Sequence, residues 1–279
     1  MSNTAATKND PLIEIENLSV TFGRQNVLRD INLKIQRGQT VAIIGESGCG
    51  KTVLLKTIVG LVGVTRGKVL FDGRDIHSLG EKELTKQRLR FGFVFQQAAL
   101  FDSLTIFENI AFALREHREL SDADIEHLVR ERVAEVGLSP DVLSRKPAEL
   151  SGGMRKRVGF ARAIALGPEV ILYDEPTTGL DPIMSDVINE LVLRMRRSYP
   201  VTSIIVTHDM KSALKVADRV IMLYPLARLG PEDRQVIFDG PALGVVGSTD
   251  LRVTQFVRGE AGERMMELER DVDDLARDR

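Results

Sequence analysis

Several residue types are scarce in this chain of 279 residues, which has one cysteine, no tryptophan and only 5% aromatic residues. The single cysteine, Cys49, excludes an internal disulfide and favours a reducing compartment. The first residues, MSNTAATKND, lack the basic start and apolar run of a secretory signal. No apolar run approaches the ~20 residues that a helix needs to cross a bilayer. The sequence therefore predicts neither a disulfide scaffold nor a membrane-spanning protein.

The chain also lacks an excess of basic charge, since 38 Lys and Arg residues stand against 40 Asp and Glu residues, for a net charge of −2. A domain that binds nucleic acid normally carries a basic surface, so we expect no nucleic-acid partner. The hydrophobic fraction of 43% is enough for a sizeable core. The length allows one large domain or two ordinary ones.

Two kinds of strand pattern alternate with helical patterns between about residue 12 and residue 240. Residues 12–20 and 27–35 alternate apolar and polar side chains, as half-buried antiparallel strands do. Other runs are continuously apolar and rich in β-branched residues, which is typical of parallel strands buried on both faces: TVAII (40–44), VILYD (170–174), TSIIVT (202–207) and RVIML (219–223). Helical patterns near 51–60, 182–198 and 210–217 separate them. We therefore predict an α/β fold with a layered core.

A long stretch without strand signal separates FGFVF (91–95) from VILYD. Amphipathic segments at about 105–116, 122–136 and 151–166 predict a helical subdomain, inserted at about 96–166. Further along, YPLARLGPEDRQ (224–235) is marked by two prolines and a glycine. It predicts an extended loop between two edge strands.

Residues 241–279 form a C-terminal extension. Near its end, Met265, Leu268, Val272 and Leu275 have the 3-4-3 spacing of an apolar seam. Two interpretations remain open: a solvated tail, or a short helix that packs on a partner. At about one and a half heptads, such a helix would be marginal by itself.

The stretch GESGCGKT fits the pattern of a phosphate-binding P-loop, and it follows a buried strand and precedes a helical pattern. Its glycines allow backbone amides to surround a phosphate, and the positive end of the helix adds to the attraction. A lysine at its end would reach the β- and γ-phosphates, and the next hydroxyl would face Mg²⁺. The predicted ATP-binding residues here are Gly45, Glu46, Ser47, Gly48, Cys49, Gly50, Lys51 and Thr52, with Cys49 serving as a small packing residue rather than a redox thiol.

Two adjacent acids follow the strand VILYD. Asp174 ends the strand, where it could hold Mg²⁺ together with Thr52. Glu175 comes next and is positioned to polarise an attacking water. The alternative, ordinary surface charge at a strand end, is weakened by the P-loop upstream.

Two polar residues follow other predicted strands. His208 comes directly after TSIIVT, at the sheet end where open α/β folds place ligands. Gln96 comes directly after FGFVF and could reach both the metal and the water. A lone histidine is usually structural, and Gln96 could equally be a loop glutamine, so spacing alone leaves both roles open.

A second anion-binding pattern begins at LSGGM, about a hundred residues after the P-loop. Ser151 can cap a helix, Gly152 and Gly153 allow a close approach to the backbone, and the cations RKR (155–157) follow within two turns. Because this pattern lies in the inserted subdomain, it need not face the P-loop of its own chain. If two copies pack head to tail, each LSGGM could close over the γ-phosphate held by the other copy's Lys51.

Together, GESGCGKT, Gln96, LSGGM, VILYDEP, TGLD (178–181) and VTHD resemble the ATP-binding cassette (ABC) nucleotide-binding domains over about residues 12–240. The resemblance implies a P-loop NTPase core with an antiparallel β subdomain and the inserted helical subdomain. It also implies ATP hydrolysis, with Mg²⁺, in a homodimer that opens and closes. By motif position, Phe22 would stack on adenine and Asp181 would lie in the loop that joins the two sites. His208 would contact the γ-phosphate, and Gln96 would link the metal site to a transmembrane permease.

A closer resemblance is to the ATPase subunits of Mla-type lipid transporters. It rests on residues 96–117, on DLRVTQFVRG (250–259) and on Met154, which replaces the usual glutamine of LSGGQ. This resemblance implies a peripheral protein on the cytoplasmic face of the inner membrane. Its partners would be an integral membrane permease, a substrate-binding protein of the mammalian-cell-entry (MCE) class and, in some systems, a small regulatory subunit. The cargo would be a lipid, most simply a phospholipid.

Two alternatives stay open. The cargo could be an ion, an amino acid or a drug, since nothing at the ATP site reads cargo. Some ABC proteins act instead on DNA or ribosomes, but they usually carry two cassettes or a long coiled-coil insertion. This chain shows one P-loop and no such insertion.

Overall fold

The computed structural model describes residues 10–261. In chain order the strands are β1 (Ile13–Phe22), β2 (Gln25–Ile35), β3 (Thr40–Ile44), β4 (Arg66–Phe71), β5 (Arg74–Asp75), β6 (Phe91–Val94), β7 (Val170–Asp174), β8 (Thr202–Thr207), β9 (Arg219–Leu223) and β10 (Val236–Pro241). The α-helices are α1 (Lys51–Ile58), α2 (Glu81–Arg88), α3 (Ile106–His117), α4 (Asp122–Glu135), α5 (Gly152–Ile164), α6 (Pro182–Ser198), α7 (Met210–Val216) and α8 (Leu251–Arg258).

The larger sheet has six strands, and most of the predicted site residues lie at or just after the ends of these strands. Its order is β10-β9-β3-β8-β7-β6. The neighbours from β9 to β6 run parallel, and β10 runs antiparallel to β9. Every residue of β3, β7 and β8 is buried, which explains their uninterrupted apolar sequences. The prediction of a parallel core is confirmed.

The smaller sheet has the order β2-β1-β4-β5 and is antiparallel. The alternating patterns of residues 12–20 and 27–35 are confirmed as β1 and β2. Sequence patterns missed β4 and β5, because β4 begins with three exposed residues and β5 has only two. The edge strand expected after residue 235 is β10, whose residues are all half-buried or exposed.

The inserted segment is helical, as predicted, with α3, α4 and α5 packed around a common core. Polar residues fix the beginnings of these helices. Thr105 and Glu108 form a capping box on α3, and the Ser121 hydroxyl accepts a hydrogen bond from the Asp124 amide of α4. The helical patterns near 51–60, 182–198 and 210–217 are confirmed as α1, α6 and α7.

The segment 224–235 connects β9 to β10 and contains a short 3-10 turn at Leu226–Arg228. The prediction that it joins two edge strands is wrong in one respect. Only β10 is at an edge, because β9 is paired on both sides, with β3 and with β10. After β10, the chain makes a 3-10 segment and the short helix α8, which ends at Gly259 with φ of +69°.

The apolar seam of Met265, Leu268, Val272 and Leu275 lies outside the described residues. Within residues 10–261, no helix combines the length and the hydropathy needed to cross a membrane.

Candidate nucleotide site

The P-loop turns sharply between the end of β3 and the start of α1, and two of its glycines are required by space. Gly45 has φ of +144°, and a Cβ atom there would lie 2.3 Å from the Leu223 carbonyl oxygen. Gly50 caps α1 with φ of +96°, and a Cβ atom there would lie 2.7 Å from Leu28. The loop therefore follows a path that only glycine allows at both ends.

Lys51 is folded into this loop. Its ammonium group donates to the carbonyl oxygens of Gly45 and Glu46, both at 2.8 Å. The side chain is buried, so the charge lies inside the ring of backbone that would surround a phosphate. Cys49 is buried beside it, and burial raises the pKa of its thiol. Cys49 is thus a packing residue with little thiolate, as the sequence predicts.

Thr52 and Asp174 meet at the end of the sheet, although 122 residues separate them. The Thr52 hydroxyl donates to Asp174 Oδ1 at 2.7 Å. Burial raises the pKa of the Asp174 carboxyl, the hydrogen bond from Thr52 opposes that shift, and the nearby Glu175 charge adds to it. A hydroxyl and a carboxylate are the hard oxygen ligands that Mg²⁺ prefers, so this pair fits the predicted metal site.

Glu175 leaves β7 in a left-handed backbone conformation, with φ of +50°. A non-glycine residue there costs about 1–3 kcal/mol and is found mostly at functional sites. Its amide donates to Val206 O at 2.9 Å, which anchors the turn to β8. Its carboxylate accepts from the Thr178 hydroxyl at 2.9 Å and lies 2.8 Å from His208 Nδ1. The carboxylate is held but still faces the cleft beside an exposed histidine.

One cleft of about 450 Å³ collects most of the predicted residues of the first phosphate site. Its lining includes residues from β1, the P-loop, the turn after β6 and the ends of β7 and β8, namely Phe22, Ser47, Gly48, Gly50, Lys51, Thr52, Gln96, Glu175 and His208. The Phe22 ring at the end of β1 is 50% exposed, which leaves a free aromatic face at the cleft edge. Gln96 is exposed in the turn after β6.

The LSGGM pattern begins α5 as predicted, but at a different place from this cleft. The Ser151 hydroxyl caps the helix and accepts from the Met154 amide at 3.3 Å. A Cβ atom at Gly153 would lie 2.7 Å from Met184 Cε, the end of a flexible side chain, so α5 and α6 lie close together at this glycine. Gly152 lines a separate cleft of about 410 Å³ together with Gln96 and Gly179. A single chain therefore does not bring Ser151 to Lys51 within the described residues.

The three cations of α5 point to backbone carbonyl groups rather than to an anion, which corrects the expectation from sequence. Arg155 donates to Leu150 O at 2.7 Å, and Arg157 donates to Gly137 O at 2.8 Å. Buried Lys156 donates to Pro176 O and Thr178 O, both at 2.8 Å. Spacing could not reveal the contacts of Lys156 and Arg157, because their accepting carbonyl groups lie about 20 residues away in loops that only folding brings near α5.

Asp181 is the N-cap of α6. Its carboxylate accepts from the amides of Ile183 and Met184, both at 3.0 Å. It lies six residues after Glu175 and does not line the cleft of about 450 Å³. The role predicted for it at a junction of two sites therefore remains a prediction.

Sequence reasoning gave no individual role to Thr178, the first residue of TGLD, whose hydroxyl donates to the Glu175 carboxylate. It also missed two residues of the segment 224–235. Arg228 lies 2.9 Å from the Glu46 carboxylate, and Gln235 donates to Cys49 O at 3.0 Å. No pattern in the sequence signals these contacts, because about 180 residues separate the partners.

Comparison with known proteins identifies this arrangement. The family described as ABC transporter matches residues 28–178, which hold the P-loop, Gln96, LSGGM and the two acids. The chain belongs to the ABC transporter family. The predicted fold and the predicted ATPase activity are confirmed with it.

Curated relatives in this family cover most of the chain. The intermembrane phospholipid transport system ATP-binding protein MlaF of Haemophilus influenzae is 41% identical over 253 residues, which is 91% of this chain and 92% of that protein. MlaF of Escherichia coli K12 is 36% identical over 250 residues, or 90% of each chain. The probable ribonucleotide transport ATP-binding protein mkl of Mycobacterium tuberculosis is 39% identical over 244 residues, covering 86% of this chain and 68% of that protein.

Solved structures of ABC cassettes have the same fold. A dimeric cassette in a post-hydrolysis state, bound to ADP and phosphate, is 32% identical with a TM-score of 0.73; the comparison covers 82% of this chain and 98% of that one. CbiO1 of Clostridium perfringens, part of an ABC transporter complex, is 26% identical with a TM-score of 0.74, covering 94% of this chain and all of that one. This chain is accordingly an ABC ATPase that binds and hydrolyses ATP.

Proposed function

We propose that this ABC ATPase drives phospholipid transport through a separate membrane permease. The observation that carries the proposal is the 41% identity to MlaF of Haemophilus influenzae along nearly the full length of both chains. The nucleotide cleft does not indicate which molecule is transported, so the cargo is inferred from this similarity. In the proposed assembly, the chain lies peripherally on the cytoplasmic face of the inner membrane. An MCE-class protein delivers or receives the lipid, and a small regulatory subunit is a further partner of the same assembly.

The proposed chemistry uses the groups of the cleft in distinct roles. Lys51 and the P-loop amides bind the β- and γ-phosphates, with the adenine stacked on Phe22. Thr52 and Asp174 would hold Mg²⁺, which would neutralise charge on the phosphates. Glu175 accepts a proton from the attacking water. His208, whose Nδ1 lies 2.8 Å from the Glu175 carboxylate, is the residue that contacts the γ-phosphate in this proposal. Gln96, exposed at the cleft edge, completes the metal and water positions.

The signature residues act in this proposal on the partner's nucleotide. Ser151, Gly152 and Gly153 do not line the cleft that contains Lys51, and in this proposal Asp181 joins the two regions. A head-to-tail homodimer would place each LSGGM over the γ-phosphate bound by the other copy. The dimeric state of a cassette similar to this chain supports this arrangement.

An aromatic groove beside Gln96 supports a permease partner. It measures about 440 Å³, and its lining includes Phe93, Phe95, Phe101 and Phe112. The rings of Phe101 and Phe112 lie 5.2 Å apart, and these residues are 45% and 48% exposed. Other apolar residues of this region are core, since Ile106, Ile110 and Ala111 are buried. The exposed aromatic rings would receive an amphipathic cytoplasmic helix of the permease.

A ribonucleotide is the second candidate cargo, because one relative is named as a probable ribonucleotide transport ATP-binding protein. An affinity pull-down of the tagged full-length chain from detergent-solubilised membranes, with mass spectrometry of proteins and lipids, separates the two. Recovery of a multi-span permease and an MCE-domain protein with bound phospholipid is the expected result. Recovery of a permease of another class, without phospholipid, would contradict the proposed lipid cargo and leave the ATPase activity unaffected.

A further inference from the structure

The segment 224–235, which has no role in the proposed chemistry, lies against the P-loop on the side of β2 and β9. It touches the P-loop region near its beginning, in its middle and at its end. The residue just before it, Leu223, presents its carbonyl oxygen so close to Gly45 that no side chain fits there. Arg228 meets Glu46, and Gln235 meets Cys49. These contacts span most of the loop that would surround the phosphates.

Gln235 is almost fully buried, at 1% exposure. Its amide nitrogen donates to Val27 O at 3.1 Å and to Cys49 O at 3.0 Å. Its amide oxygen accepts from the Arg29 amide at 2.9 Å. One side chain therefore joins β2 to the carbonyl group immediately before Gly50, the residue that caps α1. Loss of its hydrogen bonds would leave buried backbone groups unsatisfied.

Arg228 fixes the other side of the loop. Its guanidinium group reaches both carboxylate oxygens of Glu46, at 3.1 and 2.9 Å. Both side chains are mostly buried, at 24% and 17% exposure, so salt screens their attraction less than it screens a pair on an open surface. Glu46 is the residue whose carbonyl oxygen accepts from Lys51. The ion pair therefore acts on the backbone that holds the phosphate-binding lysine.

The segment itself is held in shape from both ends. Arg29 of β2 donates to Gly230 O and to Asp233 O, both at 2.7 Å. The Tyr224 amide donates to Gln235 O at 2.9 Å, which closes the segment at its base. A segment fixed in this way can transmit restraint to the P-loop, which an unstructured surface loop could not do.

We propose that residues 224–235 form a P-loop brace, in which Arg228 and Gln235 are positioning residues that set the affinity for the triphosphate of ATP. The physical reason is preorganisation. A P-loop already held in its binding shape loses less conformational freedom when its amides converge on a phosphate. The proposal rests on ATP binding at Lys51 and is independent of the cargo.

A charge-exchange cycle on the ion pair tests the brace in the full-length protein. Arg228→Glu should weaken binding of ATP with Mg²⁺ about fivefold, because it replaces an attraction to Glu46 by a repulsion. Glu46→Arg combined with Arg228→Glu should recover affinity beyond what the two single changes predict when summed. The dissociation constant, the KM for ATP, kcat and the melting temperature are measured for all four proteins. For Arg228→Glu, the brace predicts that kcat at saturating ATP stays within about twofold.

Arg234→Glu is the matched control, because it makes the same charge change in the same segment. Arg234 is exposed and lines a cleft with Asp30 and Asn32, away from the P-loop. It should leave the KM within about twofold. The brace would be overturned if the changes in ATP affinity caused by the Arg228 and Glu46 substitutions were strictly additive. An equal loss of ATP affinity in Arg234→Glu would also overturn it. Lys51→Ala, which should abolish binding in the same assay, separates failure of the brace from failure of the nucleotide site.

Gln235→Met gives the second arm. It keeps the length of the side chain and removes its hydrogen bonds, so ATP affinity should fall about tenfold while kcat is retained. Should this variant fail to fold, the Arg228 cycle still decides the proposal. A folded Gln235→Met protein with unchanged affinity would reject the role of Gln235.

Discussion

At the scale of single residues, Asp174 and Glu175 show how adjacent carboxylates acquire different environments. Asp174 is the last residue of a strand buried on both faces, and its side chain bonds Thr52. Glu175 is one residue further on, in a left-handed turn that directs its carboxylate toward His208 and Thr178. A buried oxygen beside a hydroxyl suits a metal ligand, whereas a held but accessible oxygen suits a base.

Glu175→Gln should lower the rate of ATP hydrolysis by roughly 10²–10⁴, the range for loss of a general base. The amide still accepts from Thr178 and keeps the shape of the turn, so ATP binding should remain. Steady-state phosphate release and nucleotide affinity are the measurements. Turnover within a few fold of the unchanged protein would remove Glu175 from the proposed role.

Asp174→Asn should raise the melting temperature in the absence of nucleotide while it abolishes Mg²⁺-dependent hydrolysis. Burial raises the pKa of this carboxyl above its ordinary value, so the folded state favours the protonated form. The contribution of Asp174 to the free energy of unfolding is therefore fully present below the pKa that this carboxyl has in the unfolded chain. It is lost as the pH rises through the higher pKa of the folded protein. At neutral pH, a neutral amide that still accepts from Thr52 removes the cost of the buried charge.

Because the pKa of Asp174 is raised, the pH dependence of thermal unfolding tests this explanation. Thermal unfolding of the two proteins should differ most at neutral pH, and the difference should shrink as the pH falls and Asp174 becomes protonated. An equal difference at every pH would mean that the charge of Asp174 is not its source.

At the scale of elements, α5 connects two turns of the nucleotide site. Lys156 holds the carbonyl groups of Pro176 and Thr178, in the loop that follows Glu175. One turn and a half later, Arg162 donates to the carbonyl groups of Ala98 and Ala99, near Gln96. Both alanines have positive φ, at +60° and +48°, so this turn is strained and depends on such support. A movement of α5 would therefore reach both turns.

Lys156→Met should lower kcat by roughly 10–10²-fold with a smaller effect on the KM for ATP, because the Glu175 turn loses its support while the P-loop does not. Lys156→Gln keeps donor groups for the two carbonyl oxygens and should restore part of the rate. Arg157→Met is the control on the same helix, since Arg157 contacts Gly137 instead. A loss of rate in the control equal to that in Lys156→Met would indicate general damage to α5.

At the scale of the whole molecule, the proposed function requires that one chain hold two incomplete halves of a nucleotide site. The P-loop, Glu175 and His208 share a cleft, whereas Ser151 begins a helix next to a different cleft. Apolar side chains at the start of α6 are exposed nearby, with Ile183 at 77% and Val187 at 41%. A second copy of the chain would both cover this surface and supply the missing half.

Ser151→Arg should abolish hydrolysis while ATP still binds to the P-loop of the same chain, because the large cation obstructs only the surface between two copies. Ser121→Arg is the matched control, since Ser121 caps α4 of the same subdomain in the same way. Nucleotide affinity and ATP-dependent dimerisation are measured together. Loss of ATP binding in Ser151→Arg alone would contradict the composite site.

The sequence by itself determined the features whose groups are contiguous in the chain. The P-loop is fixed by glycines and a lysine between a buried strand and a helix, and its amides are local by construction. Uninterrupted apolar runs identified β3, β7 and β8, because strands buried on both faces tolerate little else. The position of Glu175 follows in the same way from the end of β7.

Only the tertiary structure decided which distant groups share a contact. Spacing suggested that Lys156 faces an anion, but folding places the carbonyl groups of a separate loop beside it. Spacing also gave the segment 224–235 no role, whereas folding sets Gln235 against Cys49 across 186 residues. Such contacts depend on the order of the strands and on how the layers pack. The type of a residue does not reveal which distant residue the fold will bring within hydrogen-bonding distance of it.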